Sequence, residues 1–322
     1  MIGGMANTAV VFGAGQVGGF VAERLAAAGA RVKVVTRSGR AGAVPGVESV
    51  RGDAMDAAFC AQVAAGASAV YHCMNPKYDL RAWTEMLPRM QDNLVAAAGR
   101  AGARLVVLDN VYALGRPGGR LMNEDTPANP CSRKGEIRAR LAEALFEAHR
   151  RGDVRAVAGR GSDFFGPRGT QTMFEQRFWT RAFAGKSVQV IVDPDVPHTY
   201  HYIPDVAEGL VALGTAADDV LGRAWMLPCL PASSTRALIG QLGIALGRGV
   251  AIERVPGWLF GILKLVVPMF REIDEMLYQW GEPFVIDDSR FRARCGAAAT
   301  PVDEQARATC AWARETYGAG SA

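Results

Sequence analysis

Short apolar runs alternate with longer, helix-compatible stretches through the first half of the chain. The runs are typical of buried strands and occur at Thr8–Phe12, Arg31–Val35, Val47–Arg51, Ala69–Cys73, Ala103–Leu108 and Val154–Arg160. Helices are predicted between them, at Val17–Ala28, Asp53–Ala64, Leu80–Arg100 and about Ser132–Arg150. Because strands that alternate with helices of this length form βαβ units, the pattern predicts an α/β fold with a Rossmann-type, doubly wound parallel sheet.

After Gly166 the predicted helices and strands no longer alternate regularly. Helices are predicted at Thr172–Ala184, Asp205–Leu213 and Thr235–Leu246, with a last helix opened by Thr300 as N-cap and Pro301, and strands at Val188–Val192 and Ala224–Leu227. We therefore predict a first domain, built from the βαβ units, over residues 1–165. Residues 166–322 are expected to form mainly a smaller, substrate-binding lobe, with segments at about 188–215 returning to the main sheet.

The longest apolar stretch, Val255–Phe270, is interrupted by Pro256, Lys264 and Pro268. Its uncharged run is shorter than the roughly 20 residues of a membrane span. The stretch therefore predicts a buried helix pair. Its aromatic residues and one that follows are expected in the core of the C-terminal lobe: Trp258, Phe260, Phe270 and Tyr278.

A glycine motif, GAGQVG, follows the first predicted strand and opens the first helix. Gly13 permits the tight turn, Gly15 lets the backbone approach a pyrophosphate, and Gly18 allows close packing of the helix on the sheet. Gln16 and Val17 present the free N–H groups of the helix N-terminus to the phosphates. The context of strand, turn and helix predicts that residues 1–165 form a dinucleotide-binding domain, with a structural glycine turn as the alternative.

The end of the second strand bears on the choice of cofactor. A carboxylate at this point would bind the ribose 2′-hydroxyl of NAD, but the sequence reads Thr36, Arg37 and Ser38, with no acidic residue through Arg40. Arg37 is placed to pair with a 2′-phosphate. We therefore expect NADP(H) to be preferred, with NAD(H) as the second candidate; the alternative is a solvated basic turn.

The ordered motifs resemble the extended and atypical branch of the short-chain dehydrogenase/reductase superfamily, the NAD-dependent epimerase/dehydratase family. The resemblance rests on the glycine loop and on the segments Arg51–Asp53, Val70–Asn75, Asp109–Gly115, Gly159–Pro167 and His201–Gly209. It implies that Asp53 contacts the adenine amine and that the strand ending at Asn75 passes the cofactor ribose. It also implies that Lys134 binds the nicotinamide ribose or relays a proton.

The chain departs from the catalytic set of this family, which is a Ser or Thr followed by Tyr-x-x-x-Lys. Lys134 fits the lysine, but Pro130 stands at the tyrosine position and Leu108 at the Ser/Thr position. The usual acid, a tyrosine whose pKa is lowered by the lysine, is therefore not carried over to this chain. No tyrosine occurs between Tyr112 and Tyr200.

Other residues at the predicted carboxyl ends of strands are candidates for the chemistry. The catalytic candidates are Tyr112, Tyr78, Asp109, Asn110 and Lys134, and the substrate-binding candidates are Asp163, His198 and Tyr200. Simpler interpretations stand beside them: Tyr112 packs against the sheet, and His72 is a satisfied histidine at a strand end. A solvated helix face accounts for Arg133, Arg138, Arg140, Arg150 and Arg151.

Composition limits the class of protein. The 322 residues include 36 basic and 32 acidic side chains, a net charge of +4 that is too small and scattered to predict a nucleic-acid partner. The six cysteines form no CxxC pair and the histidines have no carboxylate at metal-ligand spacing, so we expect reduced thiols, no metal site and a cytoplasmic location. Residues 1–7 do not resemble a signal peptide. We expect a small-molecule substrate and no membrane partner, and a homodimer is left open.

Three functions remain in consideration. The leading hypothesis is an NADP(H)-dependent oxidoreductase that acts on a C–O, C–N or activated C–C bond of a small organic molecule. The second is a redox-neutral epimerase or dehydratase, in which the cofactor takes a hydride and returns it. The third is a non-catalytic NADP(H)-binding sensor, which the missing Ser and Tyr favour and a substrate lobe disfavours.

Overall fold

A computed structural model describes residues 7–42 and 44–318 of the protein. The strands are β1 (Thr8–Phe12), β2 (Arg31–Thr36), β3 (Val47–Arg51), β4 (Ala69–His72), β5 (Arg104–Asn110), β6 (Arg155–Gly161), β7 (Asp163–Phe165), β8 (Val188–Val190), β9 (Pro197–His198), β10 (Tyr200–Tyr202), β11 (Ala224–Met226), β12 (Ser233–Ser234) and β13 (Ile252–Arg254). The helices are α1 (Gly18–Ala27), α2 (Ala57–Ala64), α3 (Leu80–Ala101), α4 (Arg133–Arg150), α5 (Gln176–Phe183), α6 (Ile203–Thr215), α7 (Thr235–Leu246), α8 (Gly257–Val266), α9 (Pro268–Asp274), α10 (Ser289–Cys295) and α11 (Val302–Tyr317). Short 3₁₀ turns occur at Tyr112–Leu114, Asp218–Val220 and Leu277–Trp280.

A parallel sheet in the order β11-β6-β5-β4-β1-β2-β3 forms the centre of the molecule. Both faces are covered: Val10 and Phe12 of β1 join an apolar cluster with α2, α3 and α4, while Ala9 and Val11 join one with α1 and α6. Burial on both faces explains the near-continuous apolar runs of the sequence. The predicted α/β fold with a Rossmann-type parallel sheet is confirmed.

Capping side chains fix where several helices begin. Asp56 accepts hydrogen bonds from the backbone N–H groups of Ala58 and Phe59, so α2 begins at Ala57, four residues after the predicted start at Asp53. Ser132 accepts from the N–H of Gly135 at 3.0 Å and caps α4 close to the predicted start. Local polar side chains thus set the boundaries that the apolar pattern leaves open.

The C-terminal lobe has its own apolar core, formed by α5, α7, α11 and the short strands β8 and β10. In the segment predicted to return to the main sheet, α6 packs on the sheet, whereas β8 pairs with β13. The strand that extends the sheet beyond β6 is β11. In the described ranges, no helix is long and apolar enough to cross a bilayer.

Two details of this lobe differ from expectation. Thr300 does not cap α11, because its hydroxyl and its N–H both donate to the carboxylate of Asp205, at 2.6 and 2.9 Å, and α11 begins after Pro301. The predicted helix pair exists as α8 and α9, but the expectation that it is buried is wrong, since Trp258 is 71% exposed. Phe260 and Tyr278 are buried as expected.

Candidate active site

The glycine loop between β1 and α1 has the shape that the motif predicts. Gly13 has φ +99°, in the region that favours glycine, and a Cβ added at Gly18 would lie 2.0 Å from the carbonyl oxygen of Gly13. A Cβ added at Gly15 meets no atom of the described chain within 4 Å. Two glycines are therefore required by the fold, whereas Gly15 faces open space at the start of α1.

The N-terminus of α1 fits a bound anion. Val17 at its N-cap supplies no capping side chain, and the first turn contains no acidic residue. The side-chain oxygen of Gln16 is buried and has no hydrogen-bond partner within the described ranges, so it can accept a hydrogen bond from a hydroxyl of a ligand. The free N–H groups and the positive end of the helix dipole beside Gly15 fit the pyrophosphate of a dinucleotide.

The ends of β2 and β3 lie side by side next to this loop. The N–H of Gly52 donates to the carbonyl of Thr36 at 3.0 Å, which brings Asp53 beside the end of β2. The hydroxyls of Thr36 and Ser38 accept from the N–H of Arg40 and are used in the turn itself. Arg37 is exposed and forms no ion pair with any residue that the structure describes.

A cluster of buried charged side chains lies where β4, β5 and β6 end beside α4. Arg160 Nε donates to Asp109 Oδ2 at 3.0 Å, and Arg138 Nη1 lies 3.7 Å from Asp109 Oδ1. Arg138 also donates to Asn75 Oδ1 at 2.8 Å, and its guanidinium lies 4.7 Å from the Trp83 ring centroid. Asp109 therefore pairs with two buried arginines instead of presenting a free carboxylate to the cleft, and the three side chains together keep one positive charge.

The expectation that Arg138 belongs to a solvated helix face is wrong, because Arg138 is 8% exposed. Lys134 and Arg138 are four residues apart and share one face of α4. When Lys134 is buried on one face of α4, the residue one turn later on that face is buried as well. This spacing of four residues is the sequence signal that identifies Arg138. Arg160 offers no comparable signal, since it ends an apolar strand.

Lys134 is fully buried and is held by α9 and the residues after it. Its Nζ donates to the carboxylate and to the carbonyl oxygen of Glu272, the latter at 3.1 Å, and to Glu275 Oε1 at 2.7 Å. An ammonium group has three N–H donors, so all three are used by these acceptors. The same carboxylates accept the N–H groups of Leu80 and Arg133, which lie in the first turns of α3 and α4.

Two phenols lie next to Lys134. The ring of Tyr78 lies 4.8 Å from Lys134 Nζ, and the phenols of Tyr78 and Tyr112 lie close enough for each to shift the pKa of the other. Trp83 stacks on Tyr112 with ring centroids 6.2 Å apart. Burial, together with the Asp163 carboxylate, raises the pKa of Tyr112 to about 12, so this phenol is protonated at neutral pH.

Asp163 faces the same phenols from the end of β6. Its carboxylate lies 2.8 Å from His198 Nε2, and 27% of its side chain remains exposed. His198 is fully buried, stacked between Trp280 and Phe284 with ring centroids 4.5 and 5.4 Å away. The aromatic sandwich fixes the imidazole, and the imidazole in turn positions Asp163.

The polar atoms of the remaining predicted residues are used in other contacts. The Tyr200 hydroxyl lies 2.7 Å from Thr235 Oγ1, inside the core of the C-terminal lobe. Asn110 Oδ1 accepts from the N–H of Tyr112 and shapes the turn after β5. The structure thus brings Tyr78, Tyr112 and Lys134 together, with Asp163 beside the phenols.

Comparisons with known proteins agree with this architecture. The sequence profile of the NAD-dependent epimerase/dehydratase family matches residues 9–226. The fold is similar to UDP-glucuronic acid 4-epimerase from Bacillus cereus in complex with NAD, with a TM-score of 0.75 and 15% identity over 96% of this chain and 99% of that one. It is also similar to WbmH from Bordetella bronchiseptica in complex with NAD⁺, with a TM-score of 0.73 and 21% identity over 96% and 99% of the two chains.

A putative epimerase from Burkholderia cenocepacia has a TM-score of 0.74 and 18% identity, over 96% of this chain and 98% of that one. No curated protein sequence is significantly similar to this chain. These identities establish a shared fold, and the family is established by the profile, which spans the sheet from β1 to β11. The chain therefore belongs to the NAD-dependent epimerase/dehydratase family, as its motifs predicted.

Proposed function

We propose that this protein is a redox-neutral epimerase or dehydratase that uses a nicotinamide dinucleotide and acts on a small, sugar-nucleotide-like substrate. The observation that carries the proposal is the pairing of a glycine loop that fits a dinucleotide with a protonated phenol and a carboxylate at the same end of the sheet. Family membership favours this function over the net oxidoreductase that the basic turn at Arg37 suggests.

The bound cofactor supplies hydride acceptance from a substrate carbon and hydride return to the same molecule. Asp163 accepts the proton of the substrate hydroxyl, since its carboxylate is partly exposed and is held in place by His198. The Tyr112 phenol donates a hydrogen bond to the substrate oxygen as that oxygen becomes a carbonyl. Tyr78 positions Tyr112, because both rings pack on Trp83.

In this family a lysine supplies the positive charge beside the tyrosine, whereas we propose that Arg138 supplies it in this chain. Lys134 is neutralised by Glu272 and Glu275, whereas Arg138 contacts Trp83, the ring that stacks on Tyr112. Arg138 lowers the pKa of Tyr112 against the larger effect of burial, which raises it. The phenol thus acts as a hydrogen-bond donor to the substrate oxygen and not as a phenolate base, and the proton that Asp163 accepts returns to that oxygen when the hydride is returned.

The cofactor is proposed to be NADP(H). The exposed guanidinium of Arg37 at the end of β2, which forms no ion pair within the described ranges, and the absence of a carboxylate at residues 36–40 support this choice. NAD is the second candidate, and the structures from Bacillus cereus and Bordetella bronchiseptica hold it. The two cofactors are distinguished by their affinities, which are treated in the Discussion.

Turnover with a defined probe tests the proposal. The full chain is incubated with NAD or NADP and with UDP-glucuronic acid or UDP-glucose, the sugar nucleotides bound in structures similar to this one. We expect NMR to show an altered configuration or a lost water in the sugar, without accumulation of reduced nicotinamide. Stoichiometric reduced cofactor would indicate a net oxidoreductase, and cofactor binding without turnover on any probe would favour the sensor.

Substitution of the phenols tests the assigned roles. We expect Tyr112→Phe to lower kcat by about 10²-fold, the scale of one lost hydrogen-bond donor to the reacting oxygen, and Tyr78→Phe to have a smaller effect because it acts through Tyr112. Tyr317→Phe, near the end of α11, is the matched control and is expected to turn over like the wild type. If both Tyr78→Phe and Tyr112→Phe keep the wild-type kcat, neither phenol stabilises the reacting oxygen.

A further inference from the structure

Tyr278 carries a hydroxyl group that the proposed mechanism does not use. It lies in the 3₁₀ turn Leu277–Trp280 of the C-terminal lobe, just after Glu275, which binds Lys134. The hydroxyl is buried and has no hydrogen-bond partner within the described ranges, and only 7% of the residue is exposed. A buried polar group that stays unpaired lowers the stability of a protein. The hydroxyl of Tyr278 therefore indicates a partner that the chain itself does not provide.

The ring of Tyr278 is held in place by two contacts and is connected by one of them to Asp163. The Arg116 guanidinium lies 5.4 Å from the ring centroid, and the Phe284 ring packs edge-on with centroids 6.2 Å apart. Phe284 also stacks on His198, the imidazole that positions Asp163. One aromatic side chain thus fixes both the Tyr278 ring and the group that holds Asp163.

The phenol of Tyr278 lies within electrostatic range of the reacting groups. Burial raises its pKa, and the Cys131 thiol, Tyr112 and Asp163 raise it further. The phenol is therefore protonated at neutral pH and is able to donate a hydrogen bond. The exposed thiol of Cys131 is only a weak acceptor, so it does not replace an oxygen partner.

We propose that Tyr278 binds a second hydroxyl group of the substrate sugar and thereby selects a polyhydroxylated ring. The inference rests on the proposed function, in which Tyr112 and Asp163 hold the reacting oxygen. Tyr112 follows β5 of the sheet, whereas Tyr278 belongs to the C-terminal lobe, so a sugar ring between them presents different oxygens to the two phenols. A ring that lacks the second oxygen leaves the Tyr278 hydroxyl unpaired in the complex, and a site built in this way rejects such a ring.

Calorimetry on the full chain tests the proposal. The probes are UDP-glucose and UDP-glucuronic acid, with NADPH or NADH present because a reduced cofactor does not accept a hydride from the sugar. Tyr278→Phe should weaken binding of the sugar nucleotides by about tenfold, the scale of one neutral hydrogen bond. UDP, which lacks the sugar, should bind the wild type and the variant equally. In turnover, KM should rise by a similar factor and kcat should change less, because the hydrogen bond is present in both the ground state and the transition state.

Thermal unfolding without ligand separates this role from a structural one. Tyr278→Phe removes an unpaired hydroxyl and should melt at or above the wild-type temperature. The matched control is Tyr200→Phe, which removes a buried hydroxyl that lies 2.7 Å from Thr235 Oγ1 and should melt at a lower temperature.

The outcomes for this inference and for the proposed function differ. Equal affinity of the wild type and Tyr278→Phe for both sugar nucleotides, an equal loss of affinity for UDP, or a lower melting temperature of Tyr278→Phe overturns the inference. Failure of the wild type to bind either sugar nucleotide also overturns it. Sugar-nucleotide binding that Tyr278→Phe weakens, without turnover by the wild type, supports the inference and contradicts the proposed redox-neutral reaction.

Discussion

The cofactor end of the cleft, formed by the glycine loop, and its chemical end, formed by Lys134, Tyr78, Tyr112 and Asp163, are built from contacts that differ in sequence separation. At the cofactor end, the atom that makes Gly18 obligatory belongs to Gly13 in the same loop. At the chemical end, Lys134 is held by Glu275, 141 residues further along the chain, and His198 lies against the carbonyl of Gln279, 81 residues away. The first end is therefore encoded locally, whereas the second is completed only when the C-terminal lobe packs on the sheet.

The largest effect is expected from Gly15→Val, which tests whether the local end alone decides cofactor binding. A Cβ at this position meets no atom of the described chain within 4 Å, so the variant should fold, but the side chain occupies the space through which a pyrophosphate approaches the backbone. Calorimetry should detect no cofactor binding. Gly240→Val on α7, also in open space, is the control, and normal binding by a folded Gly15→Val protein would refute the assignment of the loop.

A second prediction concerns the long-range end. Glu272→Gln/Glu275→Gln keeps acceptors for the N–H groups of Leu80 and Arg133 but removes both charges that neutralise Lys134. The free energy of unfolding should fall by about 3–5 kcal/mol, the cost of an unpaired buried charge. Adding Lys134→Met to this background should restore most of the loss.

The control for this prediction is Asp274→Asn, which breaks the half-exposed pair with Lys264 and should cost less than about 1 kcal/mol. Urea unfolding measures all four proteins. Unchanged stability of the double glutamine variant would mean that α9 does not hold the lysine in solution. The chemical end would then not depend on contacts between distant residues, and the proposed difference between the two ends would be wrong.

The difference in range explains what the sequence could and could not predict. Strands β1 to β6, the glycine loop and the family follow from periodicity and short motifs, because each depends on neighbours within one βαβ unit. The pairing of Lys134, the burial of Arg160 and the position of Tyr200 in the lobe core depend on which distant segment packs there. Trp258 shows the same limit. Its helical spacing is clear from the sequence, but the sequence does not show whether the side chain faces the core or the solvent.

A third prediction sharpens the cofactor end. Arg37→Ala should weaken NADPH binding by roughly 1.5–3 kcal/mol, the scale of a charged hydrogen bond, and leave NADH nearly unchanged, because only NADPH carries the 2′-phosphate. Calorimetry on wild type, Arg37→Ala and the exposed control Arg248→Ala measures both affinities. Equal affinity of the wild type for the two cofactors would contradict the proposed preference for NADP(H).

The smallest effect concerns two buried histidines at the chemical end and their response to pH. Burial lowers the pKa of His72 from 6.5 to about 3 and that of His201 from 6.5 to about 4. His72 Nδ1 accepts from the N–H of Met74, and His201 Nδ1 accepts from the N–H of Ser162, so both rings are neutral in the folded protein. Below pH 6.5 the unfolded chain binds protons that the folded chain does not, so the free energy of unfolding falls as the pH is lowered.

At pH 5 this proton binding lowers the free energy of unfolding by about 2 kcal/mol for each histidine. Glu124 and Asp205 act in the opposite direction, because burial raises their pKa values and favours proton binding by the folded state. The test therefore compares each variant with the wild type. Urea unfolding at pH 7 and pH 5 should show that His72→Asn and His201→Asn each lose less stability on acidification than the wild type, by about 2 kcal/mol. Parallel losses in all three proteins would show that these rings take up protons without unfolding.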